Sequence, residues 1–366
     1  GLFWSLVIPA GVTVTNADSL KIRKNLTIES TGFFAHNDKT LTFGNDAVDG
    51  SISDNNLSLV NLGRVEVNKT SSDSKVSAAT NLLFTDLTIT RGSFEIPSGK
   101  TVESENLTIA ANGKLANAAT LNISKDMTDS GAYSGEGILA FTGNTEQNFT
   151  PNTTTDYSNI RNSSTDLLNI NANIKITNLS DTNVAKDISF NNGGTIYNDT
   201  ILNTPGIVTF NQTVNFGQDG DKTFEHKSGD TIITGTVNAA IVCFEDLQLN
   251  GNVAAKTELY GSLTTSTSPA GSATFTGNVF VLGDTDAELD APVNAQTNFI
   301  IQKDSGKAVS IKQNLDVTEN FALYSGDVKL KANITTGKDV ILLGSNYATS
   351  DPSTGYTNTY AYNTPR

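Results

Sequence analysis

The feature that most limits what this chain can fold into is a short burst of period-two alternation. It recurs at irregular intervals near 20 residues and is broken each time by turn formers. Residues 12–15, 26–28, 57–60, 65–67, 87–90, 107–109, 121–123, 247–249 and 328–330 alternate apolar with polar side chains. Gly-containing steps punctuate them, at Thr31 and Gly32, Arg91 and Gly92, Ser98 and Gly99, Asn112 and Gly113, Asn250 and Gly251, and Ser325 and Gly326. The bursts also echo one another. The run Asp86, Leu87, Thr88, Ile89 returns as Asn106, Leu107, Thr108, Ile109. A second pair follows, Phe94, Glu95, Ile96 in the first unit and Leu115, Ala116 in the next. Residues 25–28 and 56–59 read as the openings of two earlier units, and the same shape recurs from Asp187, Asp246 and Asn320.

Alternating bursts this short place one set of side chains inward and the other outward. A single coil cannot enclose its own inward set, so coils must stack and share an apolar column. The pattern therefore predicts an all-β, right-handed parallel β-helix (a β-solenoid) with irregular rungs of about 20 residues. The right hand follows from the chirality of parallel crossovers. Residues 1–344 would form it, in about 15–18 rungs, with residues 1–10 as an N-terminal cap or a strand donated to a neighbour. Tandem antiparallel β-sandwiches are the alternative, but their strands are longer and their units repeat at about 90–100 residues. Residues 345–366 break the pattern. They carry Tyr347, Tyr356, Tyr360 and Tyr362 with little alternation, and read as a loop or a linker to a following domain. The lack of obvious closure there suggests a piece of a longer protein.

Composition narrows the function classes. Only 17% of the 366 residues are charged, and the formal net charge is −14. Nucleic-acid binding relies on clustered Lys and Arg, so it is disfavoured. Anionic membrane surfaces are disfavoured for the same reason, and no apolar run approaches the ~20 residues of a membrane span. The single cysteine, Cys243, cannot form an intrachain disulfide.

Several stretches carry a resemblance. Residues 6–14, Leu6, Val7, Ile8, Pro9, Ala10, Gly11, Val12, Thr13 and Val14, resemble an I-P-x-G-V-x-V entry coil. Phe141, Gly143, Gln147 and Phe149 resemble an F-x-G-x-x-x-Q-x-F coil, followed by Tyr157, Asn159 and Ile160 as Y-x-N-I. In these features the chain resembles the filamentous-haemagglutinin-like and autotransporter-like β-solenoid surface proteins of bacteria. The resemblance implies secretion and a role in adhesion, a surface layer or a fibre.

Catalytic chemistry is thinly represented. Polysaccharide hydrolases on β-helices need clustered carboxylates with a histidine, and His36 and His226 each stand alone in polar surroundings, reading as solvated turn residues. Cys243 lies between apolar neighbours and reads as a buried structural thiol. Gly193 and Gly194 read as a turn, not a dinucleotide fingerprint. About a dozen sequons occur, among them Asn25, Asn68, Asn106, Asn148 and Asn211, and this composition alone predicts nearly as many. One acidic grouping has ligand-like spacing. Asp284, Asp286, Glu288 and Asp290 alternate, so an extended strand would line all four carboxylates on one face as a candidate calcium site. Asp219, Gly220 and Asp221 are a shorter scrap of the same kind. No other cofactor is implied.

The reading that these features support is an extracellular or cell-surface structural or adhesive segment, not an enzyme. Its partners would be copies of itself, neighbouring segments of a larger surface protein, or host and matrix glycans. A carbohydrate-binding β module and, further off, a polysaccharide-degrading β-helix are the alternatives.

Overall fold

The computed structural model describes residues 2–44, 46–181, 186–265 and 271–342. Every regular element among them is a β-strand, and every described strand register is parallel. The strands stack as a β-solenoid of about 17 turns of roughly 20 residues. Antiparallel sandwiches are excluded. The chain divides into two units, Gly1–Asn192 and Gly193–Arg366. The Tyr-rich segment 345–366 lies outside the described residues.

In the first unit the sequence echo is the strand register itself. Strand Leu82–Ile96 pairs with Thr101–Asn117 so that Asp86, Leu87, Thr88 and Ile89 face Asn106, Leu107, Thr108 and Ile109. Phe94 faces Leu115 and Glu95 faces Ala116. The inward positions then continue from coil to coil. Leu41, Val65, Leu87, Leu107, Met127, Phe149, Ile170 and Phe190 form one unbroken column of paired, buried residues. Leu82, Val102, Leu121, Leu139, Ile160 and Leu179 form a second. Each such side chain contributes about 1.5–3 kcal/mol on burial.

Two local expectations fail for physical reasons. Arg91 with Gly92 and Asn112 with Gly113 do not interrupt the strands. They lie inside the 15- and 17-residue strands, where the register shifts between Ile89 and Arg91. A β-bulge turns the corner without ending the ladder. Residues 57–60 do not form a strand. The pairing partner of Asn25, Leu26, Thr27 and Ile28 is Ser51, Ile52, Ser53 and Asp54. Asp54 points inward and its carboxylate accepts hydrogen bonds from the Asn56 and Val60 amides at 3.1 and 2.7 Å. Those contacts hold the chain in a loop that throws Leu57 fully into solvent, at 104% of its reference exposure. Alternation alone cannot reveal a loop stabilised by a buried carboxylate.

In the second unit three inward columns run through the coils. Leu202, His226, Cys243, Leu259, Val281, Ile301 and Leu323 make one of them. Val214, Val237, Val253, Phe275, Ala295 and Val317 make another. Val208, Thr231, Leu247, Leu263, Leu289 and Ile311 make the third. Coil length varies because corners vary. Paired ladder positions lie 16 residues apart at Thr231 and Leu247, and 26 apart at Leu263 and Leu289. The strands keep register while the corner loops absorb the difference.

Replacing Leu107 by Ala removes one element of a continuous column and is expected to lower stability by about 2–5 kcal/mol. Leu57→Ala is expected to stay within about 0.5 kcal/mol. Urea midpoints of the two variants check this, and equal effects would contradict the column.

Candidate functional site

Because inward positions pack against their own kind, chemistry can reside only on outward positions, in the corners, or at inward positions that break the apolar rule. Each class is represented.

The acidic stripe is split by the strand boundary. The strand covers only Ala287–Asp290, and Asp284 and Asp286 lie in the preceding bend. All four carboxylates are exposed, but they have different neighbours. Asp286 accepts the Ala308 amide at 2.8 Å. Glu288 and Asp290 share Lys312, at 2.5 and 3.8 Å from its Nζ, and Gln313 donates to Asp290. Asp284 and Asp286 bring negative charge to Lys303, whose proton affinity is nevertheless lowered, chiefly by burial. Lys312 thus relieves like-charge repulsion between Glu288 and Asp290. Among the described residues no group of three or more His, Cys, Asp or Glu side chains is placed to share a metal ion. Asp221 in the shorter scrap pairs with Lys222 at 3.3 Å.

His226 is not the solvated turn residue expected from its polar neighbours. It occupies an inward position between Leu202 and Cys243 and is fully buried. Its Nδ1 lies 3.0 Å from the Thr231 hydroxyl and its Nε2 3.2 Å from the Thr204 carbonyl. The alternation in Thr223–His226, with Phe224 inward, carried this signal, since the residue two beyond an inward one shares its face. Cys243 is buried in the next coil, as expected, and burial pushes its thiol up to about 12, which leaves it protonated and unreactive. His36 sits in a turn, where its Nδ1 accepts the Asp38 amide at 3.1 Å.

The residues that carry the surface-protein resemblance have structural roles. Gln147 is fully buried. Its side-chain carbonyl accepts the Gly143 amide at 2.8 Å, and its amide donates to the Ile123 and Lys125 carbonyls at 2.9 and 2.7 Å. The side chain thereby takes the place of ladder bonds where the corner leaves the sheet. Position 143 must be Gly because a Cβ there would meet the Ser124 carbonyl at 2.5 Å. Phe141 and Phe149 pack at 5.1 Å, and Phe149 meets Tyr157 edge-on at 5.3 Å. The Tyr157 hydroxyl donates to Asp129 at 2.6 Å. Burial raises both the Asp129 carboxyl and the Tyr157 phenol above their ordinary values, and pushes neighbouring Tyr133 up to about 12. These buried polar groups fix corners; the motif spacing had marked Gln147 and Tyr157, whereas nothing in the sequence had singled out Asp129 or Tyr133.

The outward faces are orderly and polar. In the first unit Thr88, Thr108, Thr128 and Thr150 follow one another in register. Beside them Asn106 donates to Asp86 at 2.8 Å, and Asp126 accepts the Asn148 amide at 2.8 Å. A shallow groove of about 300 Å³ runs past Arg64, Glu66, Asp86 and Thr108. Its carboxylates are already engaged, Asp86 by Arg64 at 3.2 Å and Glu66 by the Thr42 and Thr90 hydroxyls at 3.2 and 2.9 Å. In the second unit Phe244 stacks on Tyr260 at 4.6 Å, and a Cβ at Gly283 would stand 2.8 Å from the Tyr260 ring. One face of each ring is covered by the other, and Phe244 stays 38% exposed.

The first coil carries a group of exposed apolar side chains. Leu2, Phe3, Trp4 and Val7 are 48%, 44%, 56% and 55% exposed. Among the described residues Leu2–Phe3 pairs only with Leu20–Ile22, and Leu6–Ile8 only with Asn25–Ile28. The other edge of each strand has no pairing partner among the described residues.

No protein-family model, curated protein or solved structure matches the chain.

Since Lys312 already pairs with Glu288 and Asp290 and Asp286 is engaged by the Ala308 amide, calcium at millimolar concentration is expected to leave the thermal midpoint unchanged. A clear upward shift that is lost in the Asp290→Asn variant would establish the site instead.

Proposed function

We propose that this chain is a structural segment of an extracellular bacterial surface protein, working as a stacked-coil scaffold that joins its neighbours end to end and displays its corner loops. The observation that supports this best is the first coil. It combines open ladder edges with exposed Leu2, Phe3, Trp4 and Val7. An open parallel edge is a template for another strand, and soluble proteins ordinarily blunt such edges. Phe3, in register with the buried Ile22, continues the inward-facing stripe that a further coil would cover, while Leu2 and Val7, in register with Lys21 and Thr27, extend the apolar surface on the outward face. The partner is therefore another coil of the same construction, from a second copy or from a neighbouring segment of a larger surface protein.

The remaining surface suits exposure to a crowded exterior. A net charge of −14 keeps the outward faces mutually repelling. Association would then be confined to the coil ends, where the apolar groups lie. The Phe141 to Phe149 coil and the Tyr157 strand add the resemblance to filamentous-haemagglutinin-like surface proteins.

Sedimentation and negative-stain microscopy test the reading. The chain is expected to associate end to end as concentration rises, and a Phe3→Lys, Val7→Lys double variant is expected to remain monomeric with unchanged β content. A wild-type chain that stays monomeric at the highest attainable concentration would contradict it.

A further inference from the structure

A buried ion pair in the first unit has the composition of an unfinished covalent bond. Lys69 follows strand Arg64–Asn68, and its side chain is fully excluded from solvent. Its ammonium donates to the Arg23 carbonyl and stands 3.7 Å from Asp46 Oδ1. The other carboxylate oxygen, Asp46 Oδ2, is buried without a hydrogen-bond partner. Taking a carboxylate and an ammonium out of water costs several kcal/mol for each ion, and good geometry with every lone pair satisfied is needed to offset it. This pair is long for a charge-assisted hydrogen bond, which is about 2.7–2.9 Å, and leaves an acceptor unused.

Lys303 in the second unit shows the ordinary solution to the same problem. It is equally buried, donates to the Tyr260 carbonyl at 2.8 Å and to the Leu282 carbonyl, and forms no ion pair within 4.0 Å among the described residues. Lys69 differs in having a carboxyl group, that of the largely buried Asp46, 3.7 Å from its fully buried amine.

We propose that Lys69 Nζ and the side-chain carboxyl carbon of Asp46 are joined by an intramolecular amide bond, formed spontaneously once the coils have stacked. The nitrogen lone pair attacks the carboxyl carbon, one C–O bond breaks, and the departing oxygen leaves as water with two protons from the former ammonium. The third proton stays on the amide nitrogen. One positive and one negative charge disappear together, so the step needs no oxidant, reductant or other reactant. Holding the two groups in contact replaces a bimolecular encounter, an advantage equivalent to very high local concentration. Burial also lowers the proton affinity of Lys69, against the opposing pull of Asp46 and Asp49, which favours the nucleophilic free amine.

The bond would act as a staple between neighbouring coils. Strand Thr40–Gly44 pairs with Arg64–Asn68, Gly44 facing Asn68. Asp46 and Lys69 lie just beyond those paired ends. A chain with one cysteine would thereby gain the cross-link that disulfides supply elsewhere.

Mass spectrometry of the folded, full chain tests this. The intact mass is expected to fall short of the sequence mass by one water, and protease digestion is expected to yield a branched peptide containing both Asp46 and Lys69, with Lys303 in a linear one. The Asp46→Ala and Lys69→Arg variants are expected to show the full sequence mass. A wild-type chain of full mass would overturn the proposal. So would loss of water traced to a linear peptide, as from ring closure at Asp49 and Gly50. Because the decisive reading is made on the wild-type chain, it stands even if a variant fails to fold.

Discussion

A coil of this chain has an inside only because another coil lies on top of it. That dependence, in which parallel ladder bonds set the register and the register aligns inward side chains into shared columns, governs everything else. It explains why Leu87, Leu107 and Met127 can be leucine, leucine and methionine without conflict, since each packs against the next along the stack. It also explains why corner length is free to drift while strand phase is not. A one-residue slip within a strand would turn a whole inward set to solvent, whereas an added corner residue is absorbed by a bulge, as at Ile89 and Arg91.

The same constraint decides where polar groups are tolerated inside. Gln147, Asp54 and Asp129 are inward or corner groups, and each gathers backbone or phenolic donors that would otherwise lack partners. They are costly to bury unpaired and specific when paired. The two buried lysines follow the rule in different ways, Lys303 by donating to carbonyls and Lys69 by facing a carboxylate. Function, on this account, is left to the outward faces and the coil ends, which is where the open apolar edge is found.

Much of this was legible in the sequence, for a definable reason. The echo between Asp86 to Ile89 and Asn106 to Ile109 is strand register written along the chain, because neighbouring coils in a parallel stack present equivalent positions. The misreadings share one cause. Residues 57–60 alternate yet form a loop because the carboxylate of Asp54, several positions away, captures the Val60 amide and that of Asn56 just before them. His226 has polar neighbours yet lies inside, because strand phase outweighs local polarity. The four acidic residues from 284 to 290 share a spacing, but the strand starts only at Ala287 and Lys312 comes from the following coil. Contacts between coils are fixed by corner lengths that no local pattern reports.

The most direct test of stacked, in-register coils is a distance between outward residues that sequence separates and stacking brings together. Thr88 and Thr150 sit three coil steps apart through Thr108 and Thr128. Spin labels at these two positions should report a narrow separation of about 14 Å between backbones, three strand spacings of ~4.8 Å. A broad distribution, or a separation of more than about twice that value, would show that these strands do not lie in one parallel stack.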